Sequence, residues 1–137
     1  MVSKILLVDD DPGIRFIASI SLVEVGKFEA LMVESGRKAL EVVSDFRPDV
    51  ILLDVMMPGL DGPATFELLR KKPGIAQVPI IFITAKVQKH EVQSYYNLGA
   101  AGVLLKPFDP ITLPQQIATV VQSWRALSTG ANNSHVK

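Results

Sequence analysis

The feature that most constrains this chain is the recurrence of five short, nearly unbroken apolar runs: KILLVD (Lys4–Asp9), FEALMVE (Phe28–Glu34), VILLD (Val50–Asp54), PIIFITA (Pro79–Ala85) and GVLLK (Gly102–Lys106). A strand with one wet face alternates apolar and polar residues. A run without alternation needs cover on both faces, as in a parallel sheet clothed by helices. The intervening segments supply that cover. Ile14–Val25 carries apolar residues at helical spacing and is followed by Gly26 as a stop signal, with Asp11 as N-cap and Pro12 at the first helical position. Arg37–Asp45, Pro63–Lys72 and Gln88–Leu98 read as further helices. A fifth is expected from about Thr112, where Thr112 and Gln115 would form a capping box, to about Leu127. This alternation implies right-handed crossovers and an α/β fold: a doubly wound, five-stranded parallel sheet flanked by five helices. With 137 residues the chain is expected to form one domain over residues 1–127, followed by a short, frayed polar tail at 128–137.

Composition removes several function classes. Lysine plus arginine and aspartate plus glutamate are equal at 14 each, and the basic residues are scattered, so no electrostatic footprint for direct nucleic-acid binding is expected. No apolar run is long enough to span a bilayer, so no membrane insertion is expected. The start, MVSKILLVDDD, lacks a signal-peptide pattern, and the absence of cysteine fits a cytoplasmic location.

In doubly wound sheets ligands gather at the carboxyl ends of the strands. Asp9 and Asp10 close the first run, Asp54 the third, Thr84 the fourth and Lys106 the fifth, so all five are expected on one rim. Close carboxylates cannot all remain ionised without compensation. With oxygen ligands and no nearby histidine or cysteine, Mg2+, or alternatively Mn2+, is the expected counter-ion, and Mg2+ commonly completes its shell with phosphate oxygens. A carboxylate can itself attack phosphorus to form an aspartyl phosphate. That reaction needs a metal on one side, a cation on the other and a hydroxyl donor, parts that Asp9, Asp10, Lys106 and Thr84 can provide.

The motifs LLVDDD, LLDVMMPGLDG, FITA and LLKPF, in this order and spacing, resemble the receiver domain of two-component response regulators over about residues 3–127. The resemblance implies a flavodoxin-like sheet of strand order 2-1-3-4-5. It implies a signalling phosphoacceptor rather than an enzyme with an external substrate. Asp54 matches the phosphoacceptor, supplied by a histidine kinase or a histidine phosphotransfer protein. Asp10, Asp54 and the Met56 backbone carbonyl match the direct Mg2+ ligands, with Asp9 acting through water. Thr84 matches the switch hydroxyl and Lys106 the phosphate-binding lysine, and the Lys106–Pro107 bond matches one that is usually cis. A surface on helix four, strand five and helix five, here Gln88–Leu98, Val103 and Gln115–Trp124, is implied for a downstream protein or a homodimer.

There are departures from the family pattern. Val103 stands where an aromatic residue often swings inward, so the aromatic form of the switch is not expected. Met56 and Lys86 occupy the positions that govern how water reaches the acyl phosphate. An apolar Met56 implies slow self-dephosphorylation, to be tested by Met56→Asn. Pro58, Gly59 and Gly62 read as devices of the loop after strand three, and Asp11 as a structural cap. His90 and His135 read as solvated bystanders, Trp124 as a packing residue, and one of Tyr95 and Tyr96 as core. Two other functions fit the rhythm of elements. An aspartyl-phosphate hydrolase of the haloacid dehalogenase type needs an acid two residues after its nucleophile, where this chain has Met56. A flavodoxin-like flavin binder wants a hydroxyl- and glycine-rich first loop, where this chain has DDDPG.

Overall fold

The computed structural model describes residues 2–85 and 88–134. Five strands, β1 (Lys4–Val8), β2 (Glu29–Val33), β3 (Val50–Asp54), β4 (Ile80–Thr84) and β5 (Gly102–Leu105), form one parallel sheet in the order β2-β1-β3-β4-β5. The helices are α1 (Pro12–Ser19), α2 (Gly36–Phe46), α3 (Gly62–Arg70), α4 (Lys89–Leu98) and α5 (Leu113–Ser134). Every residue of β3 and β4 is buried, as uninterrupted apolar runs at the centre of such a sheet require.

Successive side chains of a strand point to opposite faces, so each strand feeds two cores. Leu6, Val8, Ile51, Leu53, Ile80 and Phe82 face one way, onto Ala39 and Val43 of α2, Phe66 and Leu69 of α3, and Tyr95 of α4. Ile5, Leu7, Val50, Leu52, Ile81 and Ile83 face the other, onto Ala18 of α1 and Leu113, Ile117 and Val121 of α5. Phe82 stacks on Phe66 at a centroid distance of 5.5 Å and meets Tyr95 at a tilt of 44°, 5.0 Å away. Of the two tyrosines, Tyr95 is therefore core and Tyr96 is exposed.

Helix boundaries depart from expectation in three places. The first helix is α-helical only to Ser19; Ile20–Val25 forms a π-helix, with the Gly26 amide donating to the Ser21 carbonyl. The wider turn buries both Ser21 and Leu22, and the Ser21 hydroxyl donates to the Pro110 carbonyl at 2.6 Å. The expected capping box at α5 is not formed: the Thr112 amide donates to the Asp109 carbonyl, and the Gln115 amide group donates to Thr119. Asp109 caps this turn instead, its side chain accepting from the Ile111 amide. Lastly, α5 continues past Leu127 to Ser134, so the backbone of the expected tail is helical as far as 134. Once packing of Leu113, Ile117 and Val121 has nucleated the helix, each further residue costs little even where the sequence is small and polar.

Candidate functional site

The acidic rim forms as the apolar runs end. Asp9 follows the last residue of β1, Asp54 is the last residue of β3, Thr84 the last of β4, and Lys106 follows β5. Parallel register brings these ends level: Val8 pairs with Leu53, Asp54 with Ile83, and Thr84 with Leu105. Asp10, Asp11, Asp54, Met56, Thr84, Ala85 and Lys106 line a cleft of about 240 Å³. Carboxylate oxygens of Asp9, Asp10 and Asp54 lie within 4.8 Å of one another. Asp9 and Asp54 are buried, whereas Asp10 is exposed.

Lys106 compensates part of this charge. Its ammonium lies 2.8 Å from Asp9 Oδ2 and donates to Asp54 Oδ1 at 3.1 Å. Burial alone would lower the lysine pKa, but contacts with Asp9 and Asp54 outweigh it and hold the ammonium above its ordinary value. Asp54 moves the opposite way for a carboxyl group. Burial and the neighbouring Asp9 charge push it up to about 6, more than Lys106 offsets. Three carboxylates against one lysine leave an excess of negative charge. The buried Asp9 Oδ2, though close to the ammonium, lacks a well-directed hydrogen-bond donor. A hard divalent cation fits both observations.

The surrounding loops hold the acids in place. Asp9 Oδ1 accepts from the Asp11 amide at 2.9 Å, and the Asp11 side chain accepts from the amides of Gly13 and Ile14, so Asp11 is a structural cap. After β3, Gly59 adopts φ +74°, which favours glycine. At Gly62 a side chain would collide with the Asp54 carbonyl oxygen, so only glycine lets α3 approach β3 this closely. Asp61 caps α3 by accepting from the Ala64 amide. The Lys106–Pro107 peptide bond is cis.

Thr84 is buried at the cleft, and Met56 is largely exposed beside it. No acid stands two residues after Asp54, the position a haloacid dehalogenase would require. Val103 is partly buried on the core that holds Tyr95 and Phe82. Pro58 lines a hollow beside the cleft. His90 is exposed and away from these contacts, while Lys86 and His135 lie outside the described residues.

Sequence reasoning missed Arg15, whose guanidinium donates to the Asp9 carbonyl at 2.9 Å. Its place one turn beyond three consecutive acids was the available signal. It also missed the exposed apolar side chains Phe16, Ile17, Ile20 and Val23, together with Ile111 of the loop that Ser21 joins through Pro110. The periodicity that marked this helix as core-facing also hid its apolar outer side.

Among the described residues no helix is long and apolar enough to cross a membrane. The family model described as the response regulator receiver domain matches residues 5–118. The DNA-binding response regulator MtrA of Mycolicibacterium smegmatis is 37% identical over 85% of this chain and 50% of its own length. The probable transcriptional regulator ycf27 of Pyropia yezoensis is 36% identical over 97% of this chain and 54% of its own length. The chain thus spans about half the length of the curated relatives it matches. Among solved structures, the chemotaxis protein CheY4 of Vibrio cholerae superposes with a TM-score of 0.81 at 33% identity, covering 88% of this chain and 99% of that one. The receiver domain of the Francisella response regulator 1452 gives a TM-score of 0.77 at 27% identity, covering 88% and 98%.

Proposed function

This chain belongs to the response regulator receiver family, and on that premise we propose that Asp54 accepts a phosphoryl group from the phosphohistidine of a histidine kinase or histidine phosphotransfer protein. The observation that carries the assignment is the placement of Asp54: a buried carboxylate at the end of β3, held by Lys106 at 3.1 Å and open to the cleft it shares with Thr84. One Asp54 oxygen attacks phosphorus, the phosphorus–nitrogen bond breaks, and the departing imidazole takes up a proton. Lys106 then pairs with a new phosphoryl oxygen, and the Thr84 hydroxyl donates to another.

Asp10, Asp54 and the Met56 carbonyl would hold Mg2+, or Mn2+ in its place, with Asp9 contributing from outside the direct ligand set. The ion, when bound, shields the carboxylates from the incoming phosphoryl oxygens. Arg15 fixes the Asp9 backbone, and Asp11 fixes the turn that carries Asp10. The domain acts as a cytoplasmic signalling phosphoacceptor, catalysing only its own phosphorylation and a slow hydrolysis that the apolar Met56 side chain does little to assist. The exposed Phe16 and Ile20 of the segment leading from Asp11 offer an apolar edge to the protein donor. A downstream protein, or a second copy of the chain, engages α4, β5 and α5, and the domain itself makes no direct contact with nucleic acid.

Borohydride reduction of the protein after treatment with phosphoramidate and Mg2+, followed by peptide mapping, tests the acceptor. Reductive loss of the acyl phosphate should convert Asp54 alone, and conversion at Asp9, Asp10 or elsewhere would refute the assignment.

A further inference from the structure

Two residues beyond Asp54 the chain exposes a methionine at the cleft. Met56 is 75% exposed and lines the same walls as Asp54, Thr84 and Lys106. It also borders the adjoining hollow formed with Val55, Met57 and Pro58. Its neighbours in kind are shielded: Met57 is only 8% exposed within the core, and Met32 is partly buried against the opposite core. Among the described residues Met56 is therefore the methionine that a small oxidant in solution reaches first.

We propose that Met56 is a peroxide-sensitive modification site whose conversion to methionine sulfoxide shortens the lifetime of the phosphorylated domain. This inference rests on the reading of Asp54 as phosphoacceptor. In the modification the Met56 sulfur attacks one oxygen of a hydroperoxide and the oxygen–oxygen bond breaks. Sulfur is oxidised by two electrons and keeps that oxygen, while the other leaves as water, or as an alcohol from an alkyl hydroperoxide. Methionine sulfoxide reductase chemistry reverses the step.

The functional consequence follows from hydrogen bonding. A thioether is a weak acceptor and does little to hold a water molecule. A sulfoxide oxygen on the same side chain is a strong, polar acceptor at the mouth of the cleft, where it can hold a water against the acyl phosphate. Positioning and proton-accepting groups in active sites contribute roughly a hundredfold or more. Methionine has three rotatable bonds and holds water for only part of the time, so the expected acceleration is smaller, roughly threefold to tenfold.

The test treats the protein with hydrogen peroxide, removes the oxidant, loads the protein with phosphoramidate and Mg2+, and follows loss of the phosphoryl group by intact mass. Peptide mapping should place added oxygen on Met56 before Met32 or Met57, and decay should quicken at least threefold. Met56→Leu should make the decay rate insensitive to peroxide. Met56→Gln, which carries an amide oxygen in place of the sulfoxide, should reproduce the fast decay without oxidant. First oxidation at Met32 or Met57, or unchanged decay after complete oxidation of Met56, would overturn the inference. Untreated protein that takes up no phosphoryl group would instead overturn the phosphoacceptor reading, and this inference with it.

Discussion

Replacing Asp54 by asparagine should make the metal-free protein more stable, although it removes the proposed phosphoacceptor. The Asp54 carboxyl titrates at about 6 in the folded chain, against an ordinary value of 3.8. Burial is the largest cause, Asp9 adds to it, and the Lys106 contact offsets only part. Between those values the folded chain holds a proton that the unfolded chain has released. Stability that is fully present below pH 3.8 is therefore lost as the pH rises through about 6. The difference, at about 1.4 kcal/mol per pH unit, sets a ceiling of roughly 3 kcal/mol. The cleft mouth admits water that screens the charge, so the expected gain for Asp54→Asn at pH 7.5 without metal is about 1–2 kcal/mol. That corresponds to a rise in Tm of about 3–8 °C for a domain of this size. Thermal unfolding in chelator at pH 7.5 and at pH 3.5 reads it directly. The gap should be present at the higher pH and absent at the lower, and Mg2+ should narrow it by stabilising the wild type more than the variant. A variant less stable than wild type at pH 7.5 in chelator would refute the reasoning, because the Asp54 charge would then be a net source of stability.

Gly62→Ala should lower stability by about 1–3 kcal/mol in denaturant unfolding, since the added carbon meets the Asp54 carbonyl oxygen and lies 2.7 Å from the Val55 Cα. Gly59→Ala meets open space and should cost only about 1 kcal/mol, through its positive φ. Equal effects at the two glycines would contradict the close approach of α3 to β3. Asp49 lies at the opposite end of the sheet, where it accepts from the amides of Ser3 and Lys4 at 2.9 and 2.8 Å. Burial would raise its pKa, but these amides outweigh it and hold the carboxyl below 3.8. Its contribution is present above pH 3.8 and is lost as the pH falls through its lower folded value. Asp49→Asn should therefore cost about 0.5–1 kcal/mol at pH 7 and progressively less as the pH falls below 3.8, as read from urea midpoints.

Apolar continuity identified all five strands, because helices cover both faces of a parallel sheet and leave no wet face to interrupt the run. The acid rim was legible for the same reason: Asp9, Asp54, Thr84 and Lys106 each stand where such a run stops. Asp11 and Gly26 punctuate the first helix as read, yet nothing in the spacing of Ile20–Val25 revealed the π turn. Within that turn the Ser21 hydroxyl meets a carbonyl 89 residues away, a tertiary contact with no local signature. The cap of α5 was misassigned because Thr112 and Asp109 both suit a helix start, and only the fold decides between them. Likewise Lys106 was placed on the rim, but its simultaneous hold on Asp9 and Asp54 requires the geometry of three strand ends.

We propose that this carboxylate cluster serves to make Asp54 a metal-dependent phosphoacceptor. Intact mass after incubation with acetyl phosphate, with Mg2+ or with chelator, tests it most directly. The wild type should gain one phosphoryl group with Mg2+, and none in chelator, and a folded Asp54→Asn variant should gain none. A gain that survives chelation or the loss of Asp54, or no gain by folded wild type with Mg2+, would contradict it.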